Sequence, residues 1–423
     1  MEEERKSYGL DLDLSLIGEF NSYMNRDIQF FIKHKIQLGS DYRKNTNAWD
    51  CICAAMIRIA DIIAYLNSFR TNPEQDSRQA FGFMDFMNQS SSLIDAINML
   101  AETFGLSLEE ENKSCEIFNK AGKDNQGSDK LYFEYLRSLC SIHPLDTSRH
   151  KRYMHENAKF ECCPFVVWNN STFMGGDADI IAKIYTNSED STNTKESIYL
   201  PQVVKYVRHR YQLLENIKKQ AAKLVEERKQ ELRNIPIPEQ RSSESFNQYL
   251  TRLENESVQR YQSNQQYRWD FIKMIMSSAM TNSNNDQVFA QYKKAWKIAV
   301  EFERNSLQCM KRKGLSCSGI SDGSEGELGT LFDRLYYPRY GIKKYTYELG
   351  KVLNLDPQSA NYSPCNRAWG REKLADMLPF LQQYVAIDID NTSDKELFIL
   401  TNIALFEHAL KTGIIVIPMN ADT

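Results

Sequence analysis

The chain predicts a mainly α protein: an N-terminal helical bundle, a small three-stranded β insertion, a long helical hairpin and a helical C-terminal domain. Three observations carry this. Apolar residues recur at three-and-four spacing through most of the 423 residues. β-Branched and aromatic runs punctuated by Gly and Asn are confined to one window, about 160–200. Prolines at 144, 236 and 238 stand where the helical stripes stop, since proline can neither donate to a helix nor follow a helical residue comfortably.

The first stripe is Leu14, Ile17, Phe20, Met24, Ile28, Phe31. The second is Trp49, Ile52, Met56, Ile59, Ile63, Leu66, with Asn45 or Thr46 as its cap. The third covers about 77–104. Ser107 and Glu110 stand in capping-box spacing and open a short fourth helix. After the polar loop GKDNQGSDK a fifth helix covers about 129–143 and ends before Pro144. Three strands follow: Phe165–Trp168, Ile180–Tyr185 and Ile198–Leu200. A long helix resumes at Gln202 and runs to the prolines of NIPIPEQ; two more stretches, about 244–280 and 286–312, complete a hairpin or bundle. The segment 313–330 is a Gly/Ser loop. The remainder is helical, with the apolar run 414–417 as a final strand. The segmentation is therefore 1–158, 159–201, 202–312, 313–330 and 331–423.

Composition narrows the function classes. Hydrophobic residues make up 42% and charged residues 26%, and net charge is −4, so neither disorder nor a strongly basic nucleic-acid binder is indicated. The start, MEEERKSYGLDLDL, is acidic and lacks the basic and apolar regions of a signal peptide. No run of 18 apolar residues indicates a membrane span. The nine cysteines are an odd number without a C-x-x-C pair, which points to reduced thiols and a cytoplasmic setting, not to a disulfide framework or a zinc site. No P-loop and no G-x-G-x-x-G occurs, and Asp177 and Asp179 read as surface loop carboxylates, so no cofactor or metal is expected. Asp388, Asp390 and Asp394 fail as an EF-hand, because Ser393 and Ile399 occupy the positions that need Gly and Glu.

Three of the six histidines, His143, His150 and His155, are clustered. Arg137 precedes His143 by five intervening residues, and Arg149 precedes His155 by five. On these motifs, and on the position of the first at the end of the predicted bundle, residues 1–158 resemble the HEPN superfamily of helical-bundle proteins, whose ribonuclease members carry Arg-x4–6-His. The resemblance implies metal-independent RNA cleavage at the interface of a homodimer, in a toxin-like or defence-related effector. The histidine would be the general acid or base and the arginine would stabilise charge on the phosphate, roles suited to imidazole and guanidinium. Arg137 and His143 are the first choice for these roles, Arg149 and His155 the second. The family prefers a polar Asn, Asp or His directly after the arginine; His150 follows Arg149, whereas Ser138 follows Arg137.

Arg149, Lys151 and Arg152 form a basic loop suited to RNA backbone. A second RNA-binding candidate is the stretch LFDRLYYPRYGIKKYTYELGK. There Arg334, Arg339, Tyr340, Lys343 and Lys344 interleave with Tyr336, Tyr337, Tyr345 and Tyr347, rings for bases and cations for phosphates. The helix at 203–233 carries nine Lys/Arg against four Glu. Gly319–Gly323 spells G-x-S-x-G, followed by Asp388 or Asp390 and then His408, the order of a serine hydrolase, though no strand precedes the serine. The alternative to an RNA-directed effector is a non-enzymatic scaffold whose long helices hold a protein partner.

Overall fold

The computed structural model describes residues 10–26, 28–34, 48–69, 80–169, 176–187, 194–261, 266–311, 335–336 and 342–415. The described residues are mainly α, with thirteen helices and one small sheet. The chain divides into two compact units, Met1–Glu227 and Arg228–Thr423. The boundary falls inside the long helix, and the sheet belongs to the first unit.

In the first unit the opening stripe forms two helices, α1 (Leu14–Arg26) and α2 (Ile28–His34). The core is the pairing of α3 (Trp49–Ser68) with α4 (Phe81–Thr103). Ile52, Met56, Ile59, Ile63 and Leu66 are buried on one side, Phe83, Met87, Ile97 and Leu100 on the other. Each such side chain contributes roughly 1.5–3 kcal/mol by leaving water. Helix α3 is long and apolar enough to cross a membrane, yet its stripe is the core of this unit. Asn45 and Thr46, the expected cap, lie outside the described residues; Ala48 precedes α3 without a side-chain cap.

Helix α5 (Glu109–Lys113) starts one residue off the capping-box expectation. Leu108 is its N-cap, and Ser107 Oγ accepts from Glu109 N at 3.4 Å, the shorter-range bond of a serine turn. Helix α6 (Asp129–Arg137) is capped by Ser128, whose Oγ accepts from Leu131 N. It is shorter than the sequence predicts. Ser138–Ile142 widen into one π-helical turn, closed by His143 N donating to Ser138 O at 2.9 Å. Pro144 pushes His143 out of helical conformation (φ −131°, ψ 52°), and the wider turn absorbs that exit.

The insertion has four strands, not three: β1 (Glu161–Cys162), β2 (Val166–Trp168), β3 (Ile180–Thr186) and β4 (Thr194–Ile198). β1 and β2 pair antiparallel with successive parts of one edge of β3 (Cys162 opposite Tyr185, Val166 opposite Ala182), and β4 pairs with the other edge. They are one strand broken at Pro164, where Cys163 N turns away to Pro144 O. The last strand is Thr194–Ile198, which meets the predicted Ile198–Leu200 only at Ile198 and otherwise occupies part of the polar stretch before it. Asp179 Oδ2 accepts from Leu200 N and starts α7 (Leu200–Arg233) there, with Pro201 in the first turn.

The second unit holds α8 (Phe246–Tyr261), α9 (Gln266–Ser277), α10 (Asp286–Gln308), α11 (Thr346–Val352), α12 (Pro364–Leu381) and α13 (Asp394–Lys411). The predicted stretch 244–280 is thus two helices. Trp296, Tyr292, Phe271, Phe398 and Phe406 are buried in its core. Buried Arg260 donates to the carbonyls of Leu232 and Ile235 at 2.7 and 2.8 Å, neutralising the negative C-terminal end of α7. The Gly/Ser segment and most of the final apolar run lie outside the described residues; Ile414 and Ile415 are not in a strand.

Candidate nucleic-acid interface

In the first unit, two loops meet beside α6: 114–128, leading into it, and 144–160, leaving it. Asp129, buried at the first turn of α6, accepts from Phe118 N at 2.8 Å and from Ile117 N, pinning the first loop. Gly127 N donates to Ala121 O and closes the first loop, and Lys123 N donates to Arg152 O and joins the two loops through their backbones. Tyr153 Oη donates to Ser128 O and accepts from Ser128 N, both at 3.2 Å. Gly122 has φ +70°, and a Cβ there would lie 2.2 Å from Arg152 Cγ; only glycine permits this approach.

Between the loops lies a cleft of about 530 Å³, lined by Lys123, Asp124, Arg149, His150, Lys151, Arg152 and Tyr153 among others. Arg152 is bound to Asp124 at 2.7 Å, and that hydrogen bond holds the Asp124 carboxyl below its usual range. Lys123, Arg149 and Lys151 are exposed and make no ion pair among the described residues. Three solvated cations therefore face a cavity whose acid is already occupied. His150 is half-buried, edge-on to Tyr135 at 6.1 Å. Burial, then the charges of Arg149 and His143, hold its imidazole below the usual histidine range.

The clustered histidines have different surroundings. His143, at the exit of the π-helical turn, is exposed, and among the described residues its ring makes no hydrogen bond or ion pair. Arg137 is half-buried, with its Nε buried and without a hydrogen-bond partner. Its electrostatic neighbour is Glu134, one turn back, whose carboxyl burial pushes upward. No hydrogen bond or ion pair joins Arg137 to His143. His155 presents a different arrangement. Its side chain is 45% exposed, and its Nδ1 lies 3.4 Å from Oε1 of Glu161, whose side chain is 0% exposed. Glu161 also accepts from His155 N at 2.8 Å and from Tyr135 Oη at 2.9 Å. That phenol is held far above its usual range by burial and by the Glu161 charge. With Nδ1 facing the carboxylate, Nε2 is the nitrogen available to a ligand.

The other sequence candidates fall apart from this site. Arg334, Arg339, Tyr337, Tyr340 and the G-x-S-x-G segment lie outside the described residues. Tyr336 packs into the core of the second unit, its ring 4.7 Å from Phe271 and its hydroxyl on Asp356. Lys343 and Lys344 are exposed on a 3-10 turn. His408 Nδ1 is hydrogen-bonded to Tyr384 Oη at 2.8 Å, not to a carboxylate as a hydrolase triad needs. Asp388 closes its own turn onto Asp390 N and Asn391 N, and Asp394 binds Arg367 and Arg371. Of the cations of α7, Lys218 pairs with Glu19 and Arg208 with Asp11, Lys219, Lys223 and Arg228 pair with glutamates of the helix itself, and Arg210 is buried against Asn98 and Asn112. Among the described residues, no group of three His, Cys, Asp or Glu is placed to hold a metal.

Sequence reasoning missed Lys123, Gly122, Tyr135 and Glu161. The signals were there: glycines and lysines in GKDNQGSDK, and one glutamate in the otherwise apolar, Cys-rich entry to the sheet. Comparison of the chain with protein-family models, curated proteins and solved structures finds no match in any of the three.

Proposed function

We propose that this protein binds RNA through the cleft between loops 114–128 and 144–160. The observation that carries the reading is the set of three unpaired cations, Lys123, Arg149 and Lys151, around a cavity of about 530 Å³. Phosphates neutralise such cations and release counterions, whereas an uncharged ligand would leave them unused. Tyr153 and the imidazole of His150 add flat surfaces against which a base or ribose packs.

A second reading, metal-independent cleavage, is favoured by the buried Glu161 behind His155. His155 Nε2 takes the proton of a ribose 2′-hydroxyl, the 2′-oxygen attacks phosphorus, and the bond to the 5′-oxygen breaks. A proton passes from His143 to that leaving oxygen, and Arg149 and Lys151 hold the phosphate oxygens. The products are a 2′,3′-cyclic phosphate and a 5′-hydroxyl. This assigns the chemistry to the second of the two Arg-x5-His motifs, with His143 of the first as proton donor. The HEPN resemblance supports the same chemistry and adds a second copy of the chain. The nine cysteines suit a cytoplasmic setting.

Single-stranded RNA incubated with the purified chain in chelator tests both readings. Cleavage to cyclic-phosphate ends, lost in His155→Ala and His143→Ala, supports the second. RNA that is bound but intact supports the first alone. RNA neither bound nor cut overturns both and returns the protein to the scaffold alternative. Mass measurement in solution, with and without RNA, tests the homodimer.

A further inference from the structure

The second unit carries a strip of half-exposed aromatic rings fringed by lysines. The turn Lys343–Tyr345 and α11 lie along α12. Tyr345 packs on Phe380 with centroids 5.9 Å apart, and Phe380 packs on Tyr384 at 5.5 Å and on His408 at 5.2 Å. Trp369 lies on the same face of α12 about three turns nearer its start, with Tyr347 edge-on at 6.4 Å. These last two rings are 38% and 56% exposed. Ammonium groups cover the strip: Lys351 lies 3.8 Å from the Trp369 ring and 5.3 Å from Tyr347, Lys344 5.0 Å from Tyr345, and Lys411 5.8 Å from Tyr384. Lys343 is exposed beside them. The acids Glu372 and Asp376 of α12 are both engaged by Lys373, at 3.2 and 2.9 Å.

The geometry points to a single-stranded RNA site on this strip, in which bases stack on Trp369, Tyr347 and Phe380 and the lysines move from the rings to the phosphates. Two features select this ligand. The rings offer flat π faces, which unpaired bases can cover and the bases of a duplex cannot. Among the described residues the cations around them make no ion pair, so charge complementarity calls for an anion at each step along the strip. A lysine over an exposed ring is held more weakly than a stacked base, so exchange is favourable. Trp369 and Phe380 are about 16 Å apart along the helix, room for a few nucleotides. The site uses none of the cleft residues and does not depend on them.

The test uses the full chain, as wild type and with K123Q, R149Q and K151Q together to silence the cleft. The probes are a labelled oligouridine of about 12 nucleotides and a duplex of equal length. In the cleft-silenced chain the single strand still binds, more tightly than the duplex. Trp369→Ala and Tyr347→Ala each weaken it at least about fivefold, and Trp369→Phe and Tyr347→Phe restore it. Oligouridine quenches tryptophan emission in the wild type, and the quench is lost in Trp369→Phe. Unchanged affinity in the Trp369→Ala/Tyr347→Ala double variant, equal binding of duplex and single strand, or no binding by the cleft-silenced chain overturns the inference. In the last case binding by the wild type leaves the cleft reading standing alone.

Discussion

Removing the three unpaired cations of the cleft should change both the affinity for RNA and its response to salt, by amounts that follow from their number. Lys123, Arg149 and Lys151 face the cavity and make no ion pair among the described residues. If each neutralises one phosphate of a single strand, each contributes about 0.7 to the slope of log K against log salt. The K123Q/R149Q/K151Q variant should therefore lose about 2 from that slope. At about 0.1 M salt this corresponds to roughly 100-fold weaker binding. Arg152 supplies the control. Asp124 holds it at 2.7 Å, so Arg152→Gln should cost much less than any of the three. Fluorescence anisotropy of a labelled oligoribonucleotide across a salt series reads both quantities, with circular dichroism confirming the fold. The reasoning is refuted if the triple variant keeps the wild-type slope, or if Arg152→Gln weakens binding as much as Arg149→Gln.

Four further outcomes follow from the same loops. Glu161→Ala leaves the buried Tyr135 hydroxyl and the His155 amide without their acceptor, and should cost about 2–4 kcal/mol in urea unfolding; Glu161→Gln keeps an acceptor oxygen and should cost less than half of that, so equal losses would contradict the hydrogen-bond account. Gly122→Ala forces a positive φ on alanine and drives its Cβ into Arg152; a loss of about 1–3 kcal/mol with weakened RNA binding is expected, and unchanged binding would show that the loop contact is dispensable. His150 is held below its ordinary value of 6.5, so the unfolded chain takes up that proton more readily and stability falls as pH drops below about 6.5. His150→Asn should lose less stability than the wild type between about pH 7.5 and 5, as denaturation midpoints would record; parallel curves would contradict the assignment. If cleavage occurs, Glu161→Gln should lower its rate through His155 and alter its pH profile while RNA affinity stays near that of the wild type; a uniform loss of affinity instead would mark Glu161 as purely structural.

The helical architecture was legible because its signals are local. The stripes of α3, α4 and α7 are three-and-four spacings readable in a short window, and Pro144 and Pro236 mark where they end. What escaped depends on contacts between distant residues or on competing local bonds. The exit of α6 through a π-helical turn reflects the strain that Pro144 imposes on His143, which spacing cannot express. The β1–β2 break needed Cys163 N to find Pro144 O, and the early start of α7 needed Asp179 to find Leu200 N.

The site was half legible. Arg149, Lys151 and Arg152 were readable as a basic loop, but which of them remain free is set by Asp124, more than twenty residues upstream. The Arg-x5-His spacing treats Arg137–His143 and Arg149–His155 as equals. Surroundings separate them: Arg137 is half-buried with its Nε unpartnered, while His155 gains a buried carboxylate from the strand that follows. The tyrosine-rich stretch also divides, since Tyr336 fills a core whereas Tyr347 lies exposed beside Trp369, a partner the sequence places 22 positions away.

The central claim, that the cleft between the two loops receives the RNA backbone, is tested most directly by photo-crosslinking. A 4-thiouridine-containing single strand would be irradiated with the full chain, and the attached peptides identified by mass spectrometry. The account predicts crosslinks within residues 119–128 and 147–155, Tyr153 among them, that disappear in the K123Q/R149Q/K151Q variant. Crosslinks to the first unit that fall only outside these loops, or that survive removal of the three cations, would contradict it.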